Sequence, residues 1–395
     1  MSLKPKILLY GAYDRYNYGD NLMPILIEDY IKNYAKDVLK KFELEFVSVK
    51  SSDLSKYSCK KTAPIKDYLK AENVAVVMVV GGETMRAHID GLFLNTFESR
   101  FSFLFALMSK KILRNLFTLI SRNRYPSPWD YPYIPDKLDF IKEITIVLNT
   151  VGGVPAKASL NSIKKIDYIS VRDKRSFNAL REMDVNNITL VPDSVLLISS
   201  LYPLPILKSK ISNKILSEFN FDTKYIVIQM SPHLASCKPR QLAAELLRVK
   251  KITGIEPILL PIGYASLHDD YLYLREVQLC SNNELNLFYD LSVWEIAYFI
   301  AKSCGYYGTS LHGAITAMSY GVPHYCINSK VEKFVSFVET WSLPCFSNAI
   351  NPLQILDYTN IKYDKKALND KVLFAQKIIL DNYESIMRTI RTTEN

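Results

Sequence analysis

Gly305-Tyr-Tyr-Gly308-Thr309-Ser310-Leu311-His312-Gly313-Ala-Ile-Thr-Ala-Met-Ser-Tyr320-Gly321-Val322-Pro323-His324-Tyr-Cys-Ile327 is the stretch whose reading decides the fold. Gly305–Gly308 reads as a short strand. Thr309 or Ser310 then caps a helix whose first turn holds His312, Gly321-Val322-Pro323 ends that helix, and His324–Ile327 begins another strand. Strand, helix and strand in so short a span form a parallel βαβ unit. A helix start of this kind gathers unpaired backbone N–H groups and the positive end of the helix dipole beside an imidazole. A free imidazole changes charge near neutrality, so a histidine at this place suits proton transfer. The plainer reading is a structural histidine in a first turn.

The same alternation runs in both directions from this unit. Strands are expected at Lys6–Tyr10, Glu45–Val49, Ala75–Val80, Thr145–Asn149, Tyr168–Val171 and Thr189–Val191. A second set is expected at Tyr225–Gln229, Pro257–Pro261, Leu287–Tyr289, Gly305–Gly308 and His324–Ile327. Tyr202-Pro-Leu-Pro205 breaks the pattern. The expectation is therefore an α/β protein of two Rossmann-like, doubly wound parallel-sheet domains, 1–203 and 204–395, facing a cleft at their carboxyl strand ends. The final helical run, from about Lys366 to Arg391, is expected to cross back onto the first domain.

Composition agrees with a folded globular chain: 395 residues, 48% hydrophobic, 23% charged, too long for a single ordinary core. The six cysteines are scattered without CxxC spacing, which points away from zinc or a disulfide framework and towards reduced thiols. No apolar signal region precedes the first strand, so a cytoplasmic location is expected. The net charge of +9 is spread along the chain without a nucleic-acid-binding signature, so the expected partners are anionic small substrates or anionic lipid, and no nucleic acid.

One insertion, 91–124, interrupts the first half. It carries Leu92, Phe93, Leu104, Phe105, Met108, Ile112, Leu116 and Phe117 with Lys110, Lys111, Arg114, Arg122 and Arg124, against the single acid Glu98. No stretch reaches the roughly 18–20 uncharged residues of a membrane span. A basic amphipathic helix lying on the inner face of an anionic membrane has this composition. A helix buried on its own domain, or on a second subunit of a homo-oligomer, has it too.

Several strand ends carry polar chemistry. After the first strand comes Asn17-Tyr-Gly19-Asp20, where Asn17 and Asp20 cap a helix or meet a ligand. Gly81-Gly82 follows the next β-run, with Glu83 and Arg86 expected to face the cleft or to form a surface salt bridge. Arg172-Asp173 ends another strand; Asp173 would cap the next helix and leave Arg172 free for a bidentate grip on an anion. Asp193 either holds Arg172 or touches substrate. In the second half, His233 and Lys238 follow one strand and His268-Asp269-Asp270 another.

Taken in order, these segments resemble the polysaccharide pyruvyl transferase family. The resemblance rests on Asn17-Tyr-Gly19-Asp20, Gly81-Gly82, Val171-Arg172-Asp173-x-x-Ser176, Val191-Pro192-Asp193 and His268-Asp269-Asp270. It continues through Gly308-x-x-Leu311-His312-Gly313, Gly321-Val322-Pro323 and Lys330 before Phe334. It implies a GT-B-like fold and transfer of a pyruvyl group from phosphoenolpyruvate to two hydroxyls of a sugar. The sugar would belong to an exopolysaccharide or its lipid-linked precursor, and neither metal nor cofactor is implied. By resemblance His312 is the leading acid/base. Arg172, Thr309, Ser310, Leu311, His233, Lys238 and Lys330 are assigned to the donor, and Asn17, Gly19, Asp20, Gly82, Glu83 and Arg86 to the acceptor, with Asp20 and Glu83 as alternative bases. The chain departs from the family at Ser310, where many members carry arginine; Arg86, Arg175 or Lys238 would then replace the cation. The competing functions are a glycosyltransferase using a nucleotide-sugar on the same scaffold, and a non-catalytic sugar-binding protein.

Overall fold

In the computed structural model the described residues are 4–97, 100–264 and 269–393; Glu98 and His268 lie outside them. Among the described residues twelve strands form two sheets, both entirely parallel. The first contains β1 (Lys6–Tyr10), β2 (Glu43–Ser48), β3 (Ala63–Pro64), β4 (Val74–Val80), β5 (Thr145–Val151), β6 (Tyr168–Val171) and β7 (Thr189–Leu190), in the order β3-β2-β1-β4-β5-β6-β7. The second contains β8 (Tyr225–Gln229), β9 (Glu256–Leu259), β10 (Asn286–Leu287), β11 (Tyr306–Gly308) and β12 (His324–Cys326), in the order β10-β9-β8-β11-β12. Each order reverses once, between β1 and β4 and between β8 and β11. Doubly wound sheets bind ligands in the crevice at that point.

The central strands are apolar on both faces because helices cover both: every residue of β8 and all but one of β4 is buried. Eleven strands match the sequence expectation to within two residues at either end. The exception, β3, is a two-residue edge strand containing Pro64, too short to leave a pattern.

The chain passes between the sheets through Pro203 and the short helix Leu204–Lys208. The last helix, Lys365–Thr392, is 28 residues long, about 42 Å at 1.5 Å per residue. It does cross back. Gln376 Nε2 donates to Leu196 O at 2.8 Å and Asn382 Nδ2 to Asn149 Oδ1 at 2.9 Å, while Arg391 pairs with Asp37.

The two halves meet through loops at the carboxyl ends of their sheets. Tyr18 N donates to Ile262 O and Tyr264 N to Tyr16 O, so the loop after β1 is docked on the loop after β9. Tyr16 stacks on Tyr57 and Tyr264, with ring centroids 4.0 and 5.1 Å away. The insertion forms two helices, Arg100–Ile112 and Arg114–Arg124, over a small cluster of Leu94, Ala106 and Phe117.

Candidate active site

The helix Leu311–Ser319 begins directly after β11, and its start is fixed from behind. The Gln229 side-chain oxygen accepts from Thr309 N at 2.9 Å and Ser310 N at 2.8 Å, while its Nε2 donates to Asp270 at 2.9 Å. Asp270 also accepts from the backbone of Ile262 and Gly263. A buried amide thus holds the backbone just before the helix, at Thr309 and at the cap residue Ser310. Ser310 occupies the cap position without a side-chain cap, and the Thr309 hydroxyl accepts from Ser231 N instead. Neither hydroxyl caps the helix as the sequence suggests. Leu311 is buried beneath it.

His312, 8% exposed, points from that first turn across to the first domain. Its Nε2 lies 3.5 Å from Asp193 Oδ2 and 3.5 Å from Arg172 Nη1. A protonated ring suits the carboxylate, and a neutral Nε2 can accept from the guanidinium; each state of the imidazole has a neighbour that favours it. The other edge of the ring packs on Gly19. A Cβ built on Gly19 would fall 1.9 Å from His312 Nδ1, so only glycine permits the approach.

Arg172 is not free, contrary to the sequence reading. It is 1% exposed, donates to Asp193 at 3.0 Å and to Glu83 at 2.8 Å, and its backbone carbonyl accepts from Trp341 Nε1. A buried guanidinium needs such partners. Asp173 caps the following helix by accepting from Ser176 N, as expected. Room for Arg172 comes from Gly152, where a Cβ would sit 2.6 Å from its Nε. Glu83 pairs with Arg172 and Arg175, not with Arg86, which is exposed. Burial opposes ionisation of Glu83, yet Arg172, Lys333 and Arg175 hold it down to about 2. Asp193 is likewise brought to about 2 against burial by His312 and Arg172.

The glycine pair after β4 adopts φ of +73° and +87°, and Gly82 brings its backbone to Asp20, whose Oδ1 would lie 3.3 Å from a Cβ at that position. Asn17 sits at the head of the helix Tyr18–Tyr34 without capping it, and forms an isolated bridge with Gly263. Asn17, Gly19, Asp20, Gly82 and Glu83 therefore share one edge with His312 and Arg172. His233, Lys238 and Lys330 are exposed on two loops tied together by Asn328 Nδ2 donating to Leu234 O.

The residue missed from sequence is Lys333, in the first turn of the helix Glu332–Trp341. It is partly buried, feels the charges of Glu83, Arg172, Asp20 and Arg175, and has neither hydrogen bond nor ion pair among the described residues. Burial pushes its pKa down. The sequence reading stopped three residues early, at Lys330, because a loop lysine and a first-turn lysine look alike without the helix register. Gly152-Gly153 was also passed over, although a glycine pair after a β-run is the signal that singled out Gly81-Gly82.

Fold and site together define an α/β scaffold of two doubly wound parallel sheets with a polar cluster between them. Residues 150–330 match the family model described as polysaccharide pyruvyl transferase, a family of transferases, and the match contains Arg172, Asp193 and His312. It supports pyruvyl transfer to polysaccharide as the class of reaction. No curated protein matches the chain. Among solved structures the chain is similar to Methanocaldococcus jannaschii UDP-GlcNAc 2-epimerase in complex with UDP-GlcNAc and UDP. The identity is 13% and the TM-score 0.54, covering 95% of this chain and 98% of that one. It is similar also to the S. aureus MnaA–UDP structure, at 14% identity and TM-score 0.52, covering 94% and 91%. These likenesses establish the GT-B-like fold.

Proposed function

We propose that the chain transfers the pyruvyl group of phosphoenolpyruvate to two hydroxyls of one sugar in a cell-surface polysaccharide or its lipid-linked precursor, forming a ketal and releasing phosphate. The observation that carries this reading is the convergence of His312, Asp193 and Arg172, all within the family match, at one point where the two domains touch.

The reaction needs a proton at the methylene carbon of the donor, which makes the neighbouring carbon electrophilic. One sugar hydroxyl adds to that carbon and loses its proton; the second displaces phosphate and closes the ketal. His312 supplies the first proton and recovers one from the hydroxyl that adds, with Asp193 stabilising the imidazolium before the first transfer and after the second. Asp20 and Glu83 stand on the acceptor side. Glu83 is held ionised by Arg172 and Arg175, so it is better suited to orienting hydroxyls than to taking a proton. That leaves Asp20 to take the proton of the second hydroxyl as phosphate departs.

The donor brings a phosphate and a carboxylate, and Ser310 supplies no charge for either. Lys333 supplies it, being a cation at the same edge without a partner of its own. Lys330, Lys238 and His233 line the outer approach. Arg172 acts through His312 and Glu83 rather than by gripping the anion. This chemistry calls for no metal and no resident cofactor; phosphoenolpyruvate is a co-substrate.

Thermal-shift titration tests the reading, because a ligand that binds only the folded state raises its apparent stability. Phosphoenolpyruvate should raise the midpoint, with Lys333→Met abolishing the shift. A shift with UDP or GDP and none with phosphoenolpyruvate would overturn the assignment of the donor.

A further inference from the structure

The two helices of the insertion, Arg100–Ile112 and Arg114–Arg124, bury very little of what they carry. Among the described residues the molecule has 22 exposed large hydrophobic side chains, and eight of them fall between Leu104 and Ile120. Phe105 is 67% exposed, Met108 61%, Ile112 75% and Leu119 64%. Single exposed leucines are ordinary on a protein surface; a cluster of this density marks a contact. Phe105, Met108 and Ile112 recur at helical spacing, so they share one face.

Charge decides what covers that face. Residues 100–124 contain six basic residues and no acid; Lys110 pairs with Asp90 and Arg122 with Asp130, which leaves the others to make the surface basic. A second copy of this chain would bring the same cations against these, whereas an anionic bilayer would take the apolar side chains at its acyl boundary and the cations at its phosphates. Among the described residues no helix is long and apolar enough to cross a membrane, so the contact is with one face of the bilayer.

Position gives the contact a purpose. The insertion grows out of the loop after β4, which carries Gly82 and Glu83, and returns through Tyr125, whose hydroxyl donates to Asp14 in the loop after β1. Both loops belong to the edge that holds the site.

We infer that the helices Arg100–Ile112 and Arg114–Arg124 dock the protein on an anionic phospholipid surface, with the acceptor side of the cleft next to it. The inference goes beyond pyruvyl transfer and does not depend on it, since docking is measured without donor or acceptor.

The test is co-sedimentation of the full chain with phosphatidylglycerol-containing vesicles and with pure phosphatidylcholine vesicles. Two variants accompany it: Phe105→Ser/Met108→Ser/Ile112→Ser and Lys110→Glu/Lys111→Glu/Arg114→Glu. All six positions lie outside the catalytic network, and circular dichroism reports whether each variant folds. The wild type should bind the anionic vesicles and not the neutral ones, with the bound fraction falling at least tenfold in each variant and in high salt. Two results would overturn the inference. One is equal binding by wild type and variants; the other is a wild type that ignores vesicles but forms a dimer that the serine variant dissociates.

Discussion

Gly19 lies against the imidazole of His312 so closely that a Cβ on the glycine would stand 1.9 Å from Nδ1 and from Cγ. One residue heads a helix of the first domain and the other begins a helix of the second, so this contact sets where the His312 ring sits relative to the first domain.

Gly19→Ala should therefore be costly out of proportion to its size. The methyl group cannot fit without moving the ring or separating the helix starts, and displacements near 1 Å cost about 100-fold in turnover. Steady-state turnover should fall by about that factor. Wild-type turnover in the variant would mean that the contact positions nothing.

His312→Ala should leave a folded protein with little turnover. General acid–base catalysis contributes about 100- to 10,000-fold, while the polar contacts of the ring are two of 3.5 Å, and Asp193 keeps Arg172 as a partner when the ring is removed. Circular dichroism and a single-turnover assay check the two halves separately; a variant within tenfold of wild type would remove His312 from its role.

Arg172 and Lys333 should separate stability from binding. Arg172→Met takes the guanidinium away from Asp193, which is fully buried, and leaves Glu83 paired with Arg175 alone; breaking a buried pair costs about 3–5 kcal/mol, so the urea midpoint should fall sharply. Lys333→Met removes a cation that makes no hydrogen bond or ion pair among the described residues and acts on Glu83 only alongside Arg172 and Arg175. Its midpoint should fall far less than that of Arg172→Met while the KM for phosphoenolpyruvate rises about 10- to 100-fold, the worth of a charged hydrogen bond.

Glu83 and Asp193, both held down to about 2, set the acid response. Their unfolded values lie near 4, so the folded state binds fewer protons between about 4 and 2. Their stabilisation is complete above the unfolded value and disappears as pH falls through about 2. Urea midpoints should hold from pH 7 to 5 as far as these groups are concerned, then drop towards pH 2; Asp193→Asn should flatten that drop.

The fold was legible because parallel sheets write themselves as repeated apolar runs between helix caps: β1, β6 and β8 have the very limits read from sequence. The site was legible only in part. His312 and Arg172 announced themselves at strand ends, but whether Arg172 was free depended on Asp193 and Glu83, 21 and 89 positions away. No local pattern carries such distances. Lys333 was hidden for a related reason, since helix register decides which of two nearby lysines faces the cleft.

The most direct test of the central claim is phosphate release from phosphoenolpyruvate by the purified chain, with and without saccharide acceptors, free and lipid-linked. The account predicts acceptor-dependent release, a pyruvyl ketal on the acceptor by mass spectrometry, and loss of both in His312→Ala. Sugar transfer from a nucleotide-sugar under the same conditions, with phosphoenolpyruvate left intact, would contradict it.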